Sequence, residues 1–165
     1  AQGEIIILSC AEMFHISTDN IVFLVEGIRE NSKLLGIPYL AKDDRDGRFL
    51  AQLEKHDGAY EQHHVLQCRD LNSELPFVLS LHKKEFMEIG GYDEDFWGIA
   101  FDDNDLMDRL RLNGCRFVRT GAQVIHLYHP RYYRESNPGW DYNRNLYISR
   151  WGTIVRNENK EWGKG

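Results

Sequence analysis

The chain is poor in cysteine, proline and positive charge. Its three cysteines, Cys10, Cys68 and Cys115, stand far apart and form no Cys-x-x-Cys pair. That spacing argues against a structural zinc knuckle, and the odd count argues against a disulfide framework. No stretch approaches the roughly 18–20 apolar residues of a membrane span. The start, Ala1-Gln2-Gly3-Glu4, has neither a basic segment nor a long apolar one, so it does not read as a signal peptide. The expected location is therefore cytoplasmic. The formal net charge is -6, which disfavours a general binder of the nucleic-acid backbone. A nucleotide ligand remains compatible, because a bound cation neutralises diphosphate locally. No internal repeat or low-complexity tract is present.

What is present suits one globular domain. The length is 165 residues, with 42% hydrophobic and 28% charged residues, enough to build a core and too apolar for wholesale disorder. Residues 4–9 form a short apolar, β-branched run that predicts a strand buried on both faces. Asp19 to Gly36 reads as a helix: Thr18 or Asp19 would cap it, and Ile21, Leu24, Val25, Ile28 and Leu35 recur at helical spacing. The polar stretch 41–74 reads as a surface excursion with a short helix near Phe49–Leu53. Residues 76–82 predict a second buried strand, followed by a helix over Lys83–Ile89 that Gly90-Gly91 stops. A helix over Asp103–Asn113 and strands at Arg116–Val118 and Gln123–Leu127 follow, then an amphipathic tail from Trp140 to Ile154. Alternating strands and helices favour an α/β fold.

The chemistry concentrates in residues 90–129. Seven acidic residues fall between Asp93 and Asp108, interrupted by Phe96, Trp97, Gly98 and Phe101. Asp102 and Asp103 stand at a helix start, where free N–H groups and the helix dipole stabilise carboxylates. Two readings stay open: the acids are caps, or Asp103 projects into a cleft as a general base. Asp105 and Arg109 are four apart, so they pair on one helix face and Asp105 is structural. Further on, His126 and His129 stand three apart after an apolar strand. They converge on one ion only if the strand ends near Tyr128, as Pro130 permits. Glu12, just past the first strand, is a candidate oxygen ligand for Mn²⁺ or Mg²⁺.

At these residues the sequence resembles a known family. Gly90-Gly91-Tyr92-Asp93-Glu94-Asp95-Phe96-Trp97-Gly98, then Asp102-Asp103-Asn104-Asp105-Leu106 and Arg109-Leu110, are similar to GT-A glycosyltransferases. The likeness is to the C-terminal domain of the β-1,4-galactosyltransferase type and related family 2 enzymes. The resemblance implies a partial GT-A, Rossmann-like fold with a mixed sheet. Residues 1–165 would form its metal- and acceptor-binding half. It implies Asp103 as catalytic base, Asp102 as acceptor-binding, and Trp97 and Gly98 as the acceptor floor. His126 and His129 match the two late metal-ligand positions. Cys10-Ala11-Glu12 falls at the family's DxD metal motif; one acid is missing there, so Glu12 and His15 are expected to share the task. Ile99 stands where the family usually has a tryptophan.

The implied reaction is inverting transfer of a sugar from a nucleotide-sugar donor, a UDP-sugar by resemblance, to a hydroxyl of a carbohydrate acceptor. The implied cofactor is Mn²⁺ or Mg²⁺. The residues that hold the donor's base and ribose are expected outside these 165, on an N-terminal partner half. The sheet edge left open at Glu4–Ser9 is expected to be covered by formation of a homodimer or by a rearrangement. The alternative is a non-catalytic sugar-binding or assembly module that kept the fold. A metal hydrolase is disfavoured because no hydrolase motif is present.

Overall fold

The computed structural model describes residues 3–130, 137 and 139–160. Two four-stranded mixed sheets carry the fold, as the α/β reading requires. In chain order the elements are β1 (Ile5–Ser9), β2 (Met13–His15), α1 (Asn20–Glu26), β3 (Leu34–Ile37) and β4 (Leu40–Asp43). Then come α2 (Arg48–Lys55), α3 (Gln62–Gln67), β5 (Arg69–Asp70), β6 (Val78–His82) and α4 (Lys83–Glu88). The last are α5 (Asp102–Leu112), β7 (Arg116–Arg119), β8 (Gln123–His126) and α6 (Trp140–Ser149).

The first sheet has the order β1-β6-β3-β7 and the second β2-β8-β4-β5. Four times the chain leaves one sheet and enters the other with no helix between: β1 into β2, β3 into β4, β5 into β6, and β7 into β8. The cavity described below touches two of these crossings, at Cys10 and Glu12 between β1 and β2 and at Pro76-Phe77 between β5 and β6. The pairing is antiparallel for β1–β6 and β2–β8 and parallel for β3–β7 and β4–β8.

The continuous apolar run of β6 makes it an interior strand. Val78, Leu79 and Leu81 are buried, and the buried Ser80 hydroxyl is satisfied by donating to the Leu24 carbonyl at 2.7 Å. Helix α5 closes over this sheet through Leu106, Met107 and Leu110, which pack with Leu35, Ile37, Leu79, Leu81 and Ile89. Gly90 and Gly91 end the α4 segment at φ 79° and 66°, a left-handed conformation that glycine adopts without a Cβ penalty.

Three expectations are corrected. First, the helix expected over Asp19–Gly36 ends at Glu26, and Leu34–Ile37 instead pair in parallel with Arg116–Arg119. The Asp19 side chain makes no cap bond. The apolar spacing that suggested a helix is used twice: Leu24 and Ile28 pack over the sheet, while Leu35 and Ile37 lie in it. Gly36 is not a helix stop. A Cβ there would lie 2.2 Å from Ser80 Oγ and 3.2 Å from the Leu24 carbonyl, so its bareness lets α1 approach β3.

Second, β1 is not buried on both faces. It lies at the edge of the first sheet and is half-buried. Third, the stretch 41–74 is not merely a surface excursion. It supplies part of β4, all of α2, α3 and β5, and the buried side chains Phe49, Leu53 and Val65, which pack with Ile125. Polar content misled because Asp43 and Asp44 are themselves buried. Asp44 accepts from the Phe49 and Leu50 amides at 3.0 and 2.9 Å, capping α2 from outside the helix.

Candidate functional site

The site forms where β1 and β8 end. Beyond β1 the ladder continues for one bond, from the Cys10 amide to the Phe77 carbonyl at 3.0 Å. The chain then turns at Ala11 and Glu12 and enters β2, whose Met13 pairs with His126. The Leu127 amide donates to the Glu12 carbonyl at 2.9 Å, which ties this turn to the end of β8. One ligand atom from each of Cys10, Glu12 and His126 thereby lies within 4.8 Å of the others.

His126 is 5% exposed, and its Nδ1 is 3.1 Å from Asp43 Oδ1. The parallel register of β4 and β8 sets Asp43 beside His126. A carboxylate on one ring nitrogen orients the imidazole and leaves Nε2 for a ligand role. Strand β8 ends at His126, as convergence with His129 requires, and the two rings stand 5.1 Å apart at 81°. His129 Nδ1 donates to the Pro130 carbonyl at 3.0 Å, so its Nε2 is also uncommitted by that bond.

Asp103 comes from the opposite wall, in the first turn of α5. The Tyr92 hydroxyl donates to its Oδ1 at 3.0 Å. Burial, and then the Asp102 carboxylate, raise the Asp103 pKa above the ordinary carboxylate range, with the Tyr92 bond opposing. Cys10 is pushed up to about 11, chiefly by burial and next by Glu12. Cys10, Glu12, Tyr92, Asp103, His126 and His129 all face one cavity of about 540 Å³, floored by β1 and by Pro76-Phe77. A carboxyl group with a raised pKa and a cluster of metal-type ligands thus share one space, which equips it for proton transfer beside a cation.

The other expected residues fall elsewhere. His15 is exposed on β2 and pairs with Asn20 Nδ2 at 3.1 Å, outside the cavity. Asp102 begins α5 but does not line the cavity. Trp97 and Gly98 lie on the loop before α5, with Trp97 59% exposed and Gly98 at φ 73°. That loop is held by α6: the buried Asn143 bonds the backbone of Trp97, Ile99 and Ala100. Asp105 and Arg109 pair at 2.7 Å, as their spacing predicts.

Sequence reasoning missed Asp43, Tyr92 and Asn143. Asp43 sat in a run of charge that reads as solvated surface, and its partner is distant in the chain. Asn143 sat among aromatics of an amphipathic tail. Tyr92 lies between Gly91 and Asp93, and nothing in that local run marks its hydroxyl as a partner of Asp103.

Residues 70–131 match a family model described as the N-terminal domain of galactosyltransferase. This segment carries Phe77, Tyr92, Asp103, His126 and His129, so most of the cavity wall lies inside the match. It is a galactosyltransferase-like segment, and it points to a glycosyltransferase-related function. No curated protein matches the chain. Among the described residues, no helix is long and apolar enough to cross a membrane.

Proposed function

We propose that this chain is the metal- and acceptor-binding half of an inverting glycosyltransferase. It would transfer a sugar from a nucleotide-sugar donor to a hydroxyl of a carbohydrate acceptor. One observation supports this most: the Asp103 carboxylate and the Cys10–Glu12–His126 cluster face the same cavity. In the reaction, the acceptor oxygen bonds to the anomeric carbon, and the bond from that carbon to the diphosphate oxygen breaks. The acceptor proton passes to Asp103. Tyr92 holds that carboxylate in place through its hydroxyl. Glu12, His126 and His129 would hold a divalent cation, with Asp43 orienting His126. When bound, the cation supplies Lewis-acid stabilisation of the leaving diphosphate. Trp97 and Gly98, on the exposed loop before α5, would meet the acceptor, with Asp102 close by at the helix start.

The donor's base and ribose would be held by a nucleotide-binding half. The open side of β1, which has one strand neighbour among the described residues, is where such a half, or a second copy, would add.

The test is isothermal titration of the chain with UDP in the presence of Mn²⁺, Mg²⁺ or Zn²⁺. It is followed by a UDP-release assay with nucleotide sugars and a panel of sugar acceptors. Cation-dependent heat with UDP, and release that Asp103→Asn abolishes, are expected. The absence of cation-dependent heat with UDP and also with inorganic pyrophosphate, which needs only the cation this half would hold, would overturn the proposal.

A further inference from the structure

The donor set at the cavity is not the one expected for Mn²⁺ or Mg²⁺. Those cations take hard oxygen ligands in six-coordinate shells, Mg²⁺ most strictly. Here the converging atoms are a thiol sulfur, a carboxylate oxygen and an imidazole nitrogen. Sulfur with imidazole selects zinc-type cations, and three protein ligands with an open position is the pattern of catalytic zinc.

We propose that Cys10 is a metal ligand, and that Cys10, Glu12 and His126 form a four-coordinate centre for a thiophilic divalent cation of the zinc type. The inference rests on reading this cavity as the functional site, but it does not depend on sugar transfer.

Three features support it. The ligand atoms lie within 4.8 Å of one another. Tetrahedral bonds of about 2.0–2.3 Å place ligand atoms roughly 3.3–3.8 Å apart, so side-chain adjustments of about 1 Å close the site. His126 is buried, and Asp43 holds its Nδ1 at 3.1 Å. This is the carboxylate–histidine arrangement that supports metal-bound imidazole. The side of the cluster facing Asp103 opens into the cavity, leaving the fourth position for an exchangeable ligand. His129 also lines this cavity, its ring 5.1 Å from that of His126. On binding, the Cys10 thiol gives its proton to solvent and its sulfur bonds the cation, with no change of oxidation state.

Co²⁺ reports on this directly, because a thiolate ligand produces a near-ultraviolet sulfur-to-cobalt charge-transfer band and four-coordination produces intense visible bands. Adding Co²⁺ to the purified chain is expected to develop both, and Zn²⁺ is expected to bleach them. Cys10→Ser is expected to remove the charge-transfer band and weaken Zn²⁺ binding at least tenfold, whereas Cys68→Ser keeps the band. Cys10→Asp is expected to lose the band and gain Mn²⁺ binding, read by electron paramagnetic resonance.

Should the Cys10 variants fail to fold by circular dichroism, alkylation of the native chain mapped by mass spectrometry decides. Zn²⁺ is expected to protect Cys10 and not Cys68. A native Co²⁺ complex without the charge-transfer band, a band that persists in folded Cys10→Ser, or Cys10 alkylated equally with and without Zn²⁺ overturns the proposal. Missing heat with both UDP and inorganic pyrophosphate, with the cobalt band intact, would instead sink the transferase reading and leave this ligand assignment standing.

Discussion

Asn143 and Trp97 exchange a reciprocal pair of hydrogen bonds. The Trp97 amide donates to Asn143 Oδ1 at 3.0 Å, and Asn143 Nδ2 donates to the Trp97 carbonyl at 2.9 Å. The same Nδ2 reaches the Ile99 and Ala100 carbonyls at 3.1 and 3.0 Å. Ala100 and Phe101 follow with φ of 86° and 69°, a left-handed backbone that non-glycine residues rarely adopt. Helix α6 therefore braces the turn that delivers Asp102 and Asp103. Asn143→Ala is expected to cost about 2–4 kcal/mol, because several backbone groups lose their partner together. Urea denaturation measures this. In the proposed reaction KM for the acceptor rises more than kcat falls; a variant with wild-type stability and KM would show that α6 does not brace the loop.

Asp103 carries a pH prediction. Burial and Asp102 raise its pKa, and the Tyr92 hydrogen bond opposes them. A base accepts a proton only when ionised, so turnover falls as pH drops through that raised pKa. Tyr92→Phe removes the opposing bond and shifts the acid limb of kcat/KM to higher pH. Asp102→Asn removes the like charge and shifts it to lower pH. Profiles that coincide for all three proteins would exclude Asp103 as the titrating base.

Asp43 is the partner of His126 rather than a surface charge. Asp43→Asn keeps the shape but weakens the orienting bond, and metal affinity is expected to fall about 10–100-fold. Competition titration against a chromophoric chelator measures the loss. An unchanged affinity would mean that His126 is not a ligand.

Arg109 is expected to matter for stability. It is 2% exposed, pairs with Asp105 at 2.7 Å, and donates to the Ile89 and Gly91 carbonyls at 2.9 and 2.7 Å. Arg156 also reaches Asp105, at 2.8 Å. Arg109→Met leaves two buried carbonyls without that donor and Asp105 with half its compensation, at a cost of about 3–5 kcal/mol. Thermal or urea unfolding reads this, and a loss below about 1 kcal/mol would show that Arg156 suffices alone.

Local pattern carried much of the architecture. The apolar run at Val78–His82 is an interior strand, the carboxylates at 102–103 start a helix, and the spacing of Asp105 and Arg109 makes a pair. Each depends on neighbours a few residues away. Leu34–Ile37 show the opposite case. Their spacing continued a helix, but pairing with Arg116–Arg119, far along the chain, made them a strand.

The sequence alone determined the α/β alternation, the helix that carries Asp103, and the end of the strand that carries His126, because backbone propensity and side-chain period act locally. Only the tertiary structure decided which polar residues meet. It left His15 beside Asn20, placed Asp43 behind His126, and brought Cys10 to Glu12 and His126. Those contacts follow from strand register and from the crossings between two sheets, and register joins residues whose separation in the chain carries no periodic signal.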